Sequence, residues 1–100
     1  MNIDWEDPFP EPVPIPIDGV LDLHTFNPKE VADLLPEYLR ACRENHILEV
    51  TVIHGKGKGV LRDTVHALLK RDPLVSSFHL DRERGNWGIT RVKLVGPESG

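Results

Sequence analysis

Two short stretches hold side chains whose types and spacing can do chemistry. Asp22 and His24 stand two apart at the end of an apolar run, Val20-Leu21-Asp22-Leu23-His24, and His54 closes a second run that starts at Leu48. Gly55, Lys56, Gly57, Lys58 and Gly59 follow His54 directly, and Arg62 comes three residues later. Imidazoles titrate near neutrality, so two of them can serve as general base and general acid. A carboxylate beside a histidine can hold one tautomer and raise its basicity, as Asp22 can for His24. Alternate glycines with interleaved cations, leading into a helix, make an anion cradle: free N–H groups and the positive end of the helix dipole converge there. The expected ligand is a phosphate. Asp22 and His24 could instead bind a divalent metal.

These residues work together only if the chain brings them to one place. Val20 to His24 and His46 to His54 read as strands rich in Val and Ile, stiff side chains that favour extended backbone. Asn27, Pro28 and Glu30 read as N-cap, first-turn proline and capping-box acid. A helix then presents Val31, Leu34, Leu35, Tyr38, Leu39 and Cys42 on one face to about Glu44, with a kink or local break expected at Pro36. Leu61, Val65, Leu68 and Leu69 carry a second helix to about Arg71, before Pro73. Val75 to Leu80 and Ile89 to Val95 read as two more strands, the last with Val92 and Leu94 inward and Arg91 and Lys93 outward. The order βαβαββ implies an α+β two-layer sandwich: a mixed four-stranded sheet with both helices on one face. If the first two strands are parallel neighbours, His24 and His54 lie at the same carboxyl edge, where open α/β sheets bind ligands. With Leu21 and Leu23 toward the helices, Asp22 and His24 face outward.

Each feature alone has a plainer reading. Asp-x-His is commonly just a strand end, and Gly55-x-Gly57-x-Gly59 has the spacing of neither the dinucleotide fingerprint nor the ATP-binding loop. His46 and His66 are expected in solvent, His66 on the outer face of the second helix. His79 is expected on the open sheet face with Arg91 and Lys93, and Trp87 as a lid over the core edge. The combination at one edge raises the functional reading.

The chain has 100 residues, enough for one small domain. Its formal charge of −4 divides into −5 over residues 1–18, which have no Lys or Arg, and +1 over the rest. Residues 54–71 alone carry +4, a local patch suited to a phosphate. Residues 1–17 form a Pro-rich acidic arm, with prolines at 8, 10, 12, 14 and 16. The arm is expected to lie extended, either on the domain's own surface or offered to a partner. The domain is placed at 18–96 and a tail at 97–100. Cys42 is the only cysteine and is expected in the core. Neither a signal peptide nor a membrane-spanning stretch is read, so the expected compartment is the cytoplasm.

Leu21-Asp22-Leu23-His24, with Ile53-His54-Gly55-Lys56-Gly57-Lys58-Gly59-Val60-Leu61-Arg62 further on, resembles the Smr (small MutS-related) domain family. Gly85-Asn86-Trp87-Gly88-Ile89-Thr90-Arg91-Val92 resembles that family's late turn and closing strand. The resemblance implies a βαβαββ sandwich like the C-terminal domain of a bacterial translation initiation factor, here as a stand-alone short member. It also implies nucleic-acid binding and endonuclease activity on RNA or DNA. The family's Asp-Leu-His motif falls on Asp22, Leu23 and His24, and its His-Gly-x-Gly on His54, Gly55, Lys56 and Gly57. Thr25 stands where the family usually has Gly, and Asn86 and Trp87 replace small residues.

The expected function is phosphodiester cleavage, RNA slightly preferred because a ribose 2′-OH can act as internal nucleophile without a metal. In that scheme His24, oriented by Asp22, is the base and His54 the acid. Gly55, Lys56, Gly57, Lys58, Gly59 and Arg62 bind the phosphate. No cofactor is assigned with certainty; the alternative left open is a divalent metal on Asp22 and His24. The alternatives are a non-catalytic nucleic-acid or ribosome-binding module and a protein-interaction adaptor working through the arm.

Overall fold

The computed structural model describes residues 15–55, 59–81 and 88–96. Most of the arm, Lys56, Gly57, Lys58, the turn holding Asn86 and Trp87, and the tail lie outside the described residues.

The first helix, α1 (Pro28–Glu44), starts as its sequence dictates. Oδ1 of Asn27 accepts the N–H of Glu30 at 2.8 Å, and Oε1 of Glu30 accepts the N–H of Asn27 at 3.0 Å. This reciprocal box satisfies two of the three unpaired donors at this helix start, Pro28 having no N–H. The expected break at Pro36 is absent: α1 is one uninterrupted helix. The lost N–H bond costs a turn one rung, while Val31 and Leu35 before it, and Tyr38, Leu39 and Cys42 after it, are all buried and hold the two halves to one core. At the C-terminus His46, at φ 65°, lets Ile47 N–H reach the carbonyl of Cys42 and its own N–H reach that of Arg43. That paired arrangement closes the last turn.

Strands β1 (Val20–Asp22) and β2 (Glu49–Ile53) are parallel neighbours, as the right-handed crossover predicts. Helix α2 (Val60–Arg71) leads to β3 (Val75–Leu80) and β4 (Ile89–Leu94). The sheet order is β1-β2-β4-β3, with β4 antiparallel to both neighbours and a register irregularity between Val75 and Ser77. The result is a mixed four-stranded sheet with two helices, the expected α+β sandwich.

Period-two burial separates the faces. Leu21, Leu23, Val50, Val52, Val92 and Leu94 join Val31, Leu35, Leu39, Cys42, Val65 and Leu69 in one core. Burying one such Leu or Val contributes roughly 1.5–3 kcal/mol. Asp22, His79, Arg91 and Lys93 lie exposed on the other face, with His79 directly opposite Arg91. Ile15, near the end of the arm, packs against the core. Tyr38 ties α1 to the start of β1: its hydroxyl accepts the N–H of Gly19 at 3.0 Å and donates to the carbonyl of Val20 at 3.3 Å. Among the described residues, no helix is long and apolar enough to cross a membrane.

Candidate nucleic-acid interface

The β1–α1 connection is tight. Leu23 N–H continues the ladder to the carbonyl of Ile53, and the carbonyl of Leu23 accepts the N–H of Phe26 at 2.9 Å. His24 and Thr25 therefore occupy the corner of a β-turn that runs straight into the capping box. Thr25 makes this corner without a positive φ, since His46 is the only non-glycine residue there among those described. The Cβ that distinguishes this chain from the family pattern is thus accommodated.

Oδ1 of Asp22 lies 2.6 Å from Nδ1 of His24 and also accepts the backbone N–H of His24 at 3.0 Å. A carboxylate can only accept, so it selects the Nδ1–H tautomer and leaves Nε2 with its lone pair. Both side chains are about half exposed, at 57% for His24 and 50% for Asp22. The same bonds, the side-chain one foremost, hold the Asp22 carboxyl below its ordinary pKa.

Gly55 abuts this pair from the neighbouring strand. Its φ is +85°, and a Cβ there would come 3.4 Å from the Cβ of His24. The far side of the loop, Gly59, sits at φ +86° as N-cap of α2 and has no side chain to cap the helix. The first N–H groups of α2 are therefore available to an anion at that end. Arg62 lies against Gly59 and bonds Asp63 at 3.3 Å, with 40% of its side chain exposed. Asp22, His24, Gly55, Gly59 and Arg62 share this loop edge; Lys56, Gly57 and Lys58 lie outside the described residues.

His54 ends β2 at the same edge as His24 but on the opposite face. It continues the inward parity of Val50 and Val52 and is only 3% exposed. Its Nδ1 lies 3.2 Å from the carbonyl of Gly55, and its Nε2 lies 2.8 Å from Oγ1 of Thr90. The structure therefore does not bring the two imidazoles into one solvent-facing pair. Both nitrogens of His54 are engaged inside.

Two further residues belong to this arrangement. Thr90 is fully buried and also lies 2.8 Å from Nε2 of His66. His66, expected in solvent, is instead half-buried, edge-on to the His54 ring at 6.0 Å and tilted against Phe78 at 5.0 Å. Burial lowers the pKa of both histidines; the Arg62 charge lowers both further, and His54 adds to the effect on His66. Thr90 shares parity with Val92 and Leu94, a signal the sequence does carry. His66 borders the apolar stripe, one residue past Val65 and three before Leu69.

Among the described residues, no three His, Cys, Asp or Glu side chains are grouped to hold a metal. The open sheet face adds a shallow groove lined by Thr51, Ser77, His79, Asp81, Arg91 and Lys93. In it Arg91 bonds Asp81 at 3.3 Å and Thr51 at 3.0 Å.

The Smr domain family profile matches residues 21–95, and the chain belongs to that family. It is 36% identical over 81 residues to Endonuclease MutS2 of Clostridium beijerinckii, covering 80% of this chain and 10% of that protein. To Endonuclease MutS2 of Clostridium novyi it is 41% identical over 76 residues, covering 74% and 10%. The chain thus spans about a tenth of the length of these curated relatives. The crystal structure of the Smr domain of Thermus thermophilus MutS2 superposes with a TM-score of 0.72 at 30% identity, covering 76% of this chain and 96% of that one. YdaL, a stand-alone small MutS-related protein from Escherichia coli, shares the fold at a TM-score of 0.71 and 21% identity, over 79% of this chain and 66% of that one.

Proposed function

We propose that this Smr domain binds a nucleic-acid backbone at the loop edge and cleaves a phosphodiester there, with RNA slightly preferred to DNA. The observation that carries the reading is the exposed Asp22–His24 pair, bonded at 2.6 Å and seated against Gly55. His24 is the general base: Nε2 takes the proton of a ribose 2′-OH while Asp22 steadies the resulting imidazolium. The 2′-oxygen bonds to phosphorus, the P–O5′ bond breaks, and the leaving 5′-oxygen takes a proton from water. Gly55, Gly59 and Arg62, with Lys56, Gly57 and Lys58 of the same loop, hold the phosphate and its developing charge. The homologous MutS2 proteins, named as endonucleases, support the reaction class. His54 enters as the residue that seats Gly55; an acid role would require it to leave its internal bonds.

That burial favours a second reading, a nucleic-acid or ribosome-binding module that does not cut. A protein partner for the acidic arm belongs with this reading. A reducing compartment such as the cytoplasm suits the one free, buried thiol, Cys42.

The test is cleavage of labelled RNA and DNA by the purified chain, with and without chelator. Cutting by internal attack leaves a 2′,3′-cyclic phosphate, survives chelator and fails where the cut site carries 2′-deoxyribose. Cutting that chelator stops and that tolerates deoxyribose would instead assign Asp22 and His24 to a divalent metal. Tight binding without product supports the binding module, and neither binding nor cutting refutes both.

A further inference from the structure

Hydrogen-bond polarity gives the buried histidines a direction. The carbonyl of Gly55 can only accept, so the neutral His54 ring carries its proton on Nδ1. Its Nε2 then has a lone pair and accepts the single hydroxyl proton of Thr90. The Thr90 oxygen, having donated once, accepts from Nε2–H of His66. The chain runs His66 Nε2–H to Thr90 O–H to His54, and from His54 Nδ1–H to the carbonyl of Gly55.

The other end of the Gly55 peptide is tied to the same strand end. Gly55 N–H and His54 N–H both donate to the carbonyl of Gly88, at 3.0 and 2.9 Å. Gly55 is therefore held from both sides, by the backbone of Gly88 and by the side chain of His54. Its Cα faces the Cβ of His24 on the exposed side of the sheet. A buried polar chain whose every member is satisfied in only one direction restricts the geometry of what it ends on.

We infer that His66 and Thr90 are positioning residues: through His54 they fix the carbonyl of Gly55, and with it the seat of the glycine loop beside the exposed ring of His24. The role in phosphate binding rests on the nucleic-acid reading above; the role in holding Gly55 does not. Around the chain, Arg62 adds positive charge near both rings, and Asp63 and Lys70 act on His66 with opposite signs. Burial foremost, with the Arg62 charge, pushes both rings toward the neutral form that the directed chain requires.

The test uses the full chain and four variants. Thr90→Val and His66→Leu remove a link; Thr90→Ser and His66→Gln keep a hydroxyl or an N–H at the same place. Ring nitrogen NMR of the parent is expected to find His54 as the Nδ1–H tautomer and His66 as the Nε2–H tautomer. Amide exchange at Gly55, taken relative to Val52 in the same sample, is expected to quicken about tenfold in Thr90→Val and His66→Leu. In Thr90→Ser and His66→Gln it should stay within about twofold of the parent. RNA affinity should fall in the first two variants and recover in the second two. An Nε2–H tautomer at His54, or equal Gly55 exchange in Thr90→Val and Thr90→Ser, overturns the inference. Faster exchange with unchanged affinity overturns its link to binding. If the parent binds neither RNA nor DNA, the functional reading fails, and Gly55 exchange alone decides the positioning role.

Discussion

The guanidinium of Arg62 folds back over the Cα of Gly59, so closely that a Cβ at Gly59 would lie 2.7 Å from its Nη2. Gly59 also sits at φ +86°, where side chains are strained, and its carbonyl accepts the N–H of Asp63 to start α2. The missing side chain thus serves two ends. It admits the left-handed turn, and it lets a cation rest where the loop meets the helix.

Gly59→Ala therefore has two expected effects. Left-handed backbone costs roughly 1–2 kcal/mol for a residue with a Cβ. Each kcal/mol lowers the melting temperature of a domain this size by about 4–8 °C. The guanidinium must also move, which should weaken phosphate binding. Thermal unfolding and RNA titration of the variant check both; an unchanged melting temperature would contradict the strain.

His24→Ala should remove cleavage while leaving RNA affinity within a few-fold of the parent. Loss of a general base typically costs on the order of a hundred- to ten-thousand-fold in rate. Asp22→Asn should be milder if Asp22 only orients the ring, and as severe if it holds a metal. Single-turnover rates beside equilibrium binding separate these cases. A His24→Ala variant that cuts at the parental rate would falsify the assignment of the base.

Stability should fall as pH drops through the range in which unfolded histidines take up protons. His54 and His66 both have folded pKa values below the ordinary 6.5, chiefly through burial. The unfolded chain thus takes up protons that the folded chain refuses once pH drops below about 6.5, and stability is lost from there downward. Above that value the contribution is complete. Urea midpoints from about pH 7.5 to about pH 5 should decline, and His66→Gln should flatten the slope. Midpoints constant across that range in the parent would count against neutral, buried rings.

Tyr38→Phe should destabilise the domain without touching the loop edge. The buried Gly19 N–H would lose its acceptor, an omission that costs about 1–3 kcal/mol. The parent should also weaken in alkali. Burial pushes the Tyr38 phenol up to about 12 from 10.0, so its stabilisation is complete below pH 10.0 and is lost as pH rises toward 12. Alkaline unfolding of the parent and the Phe variant, compared by circular dichroism, checks both. A variant as stable as the parent at neutral pH would show that water replaces the hydroxyl.

Much of the architecture was legible because it is written locally. Asn27, Pro28 and Glu30 announce the start of α1, and the alternation of Val92 and Leu94 with Arg91 and Lys93 sorts the faces of β4. The parallel pairing of β1 with β2 follows from the handedness of one crossover, and that pairing places Asp22 and His24 beside Gly55. The residue types around the loop carry the chemistry that the proposed anion site needs, and the family motifs lie on those same residues.

The partners of the buried histidines are a different matter. His54 shares the inward parity of Val50 and Val52, yet a histidine at a strand end is polar enough to be read as facing solvent. Nothing local indicates that β4 inserts between β2 and β3, because strand order is settled by non-local pairing. That insertion carries Thr90 across from Val52 and under α2, within reach of His54 and His66 together. The sequence by itself determined the elements, their faces and the exposed Asp22–His24 pair, since periodicity and turn chemistry act over a few residues. Only the tertiary structure decided that His54 turns inward to Thr90 and His66, because a hydrogen bond between distant segments exists only once the sheet has closed.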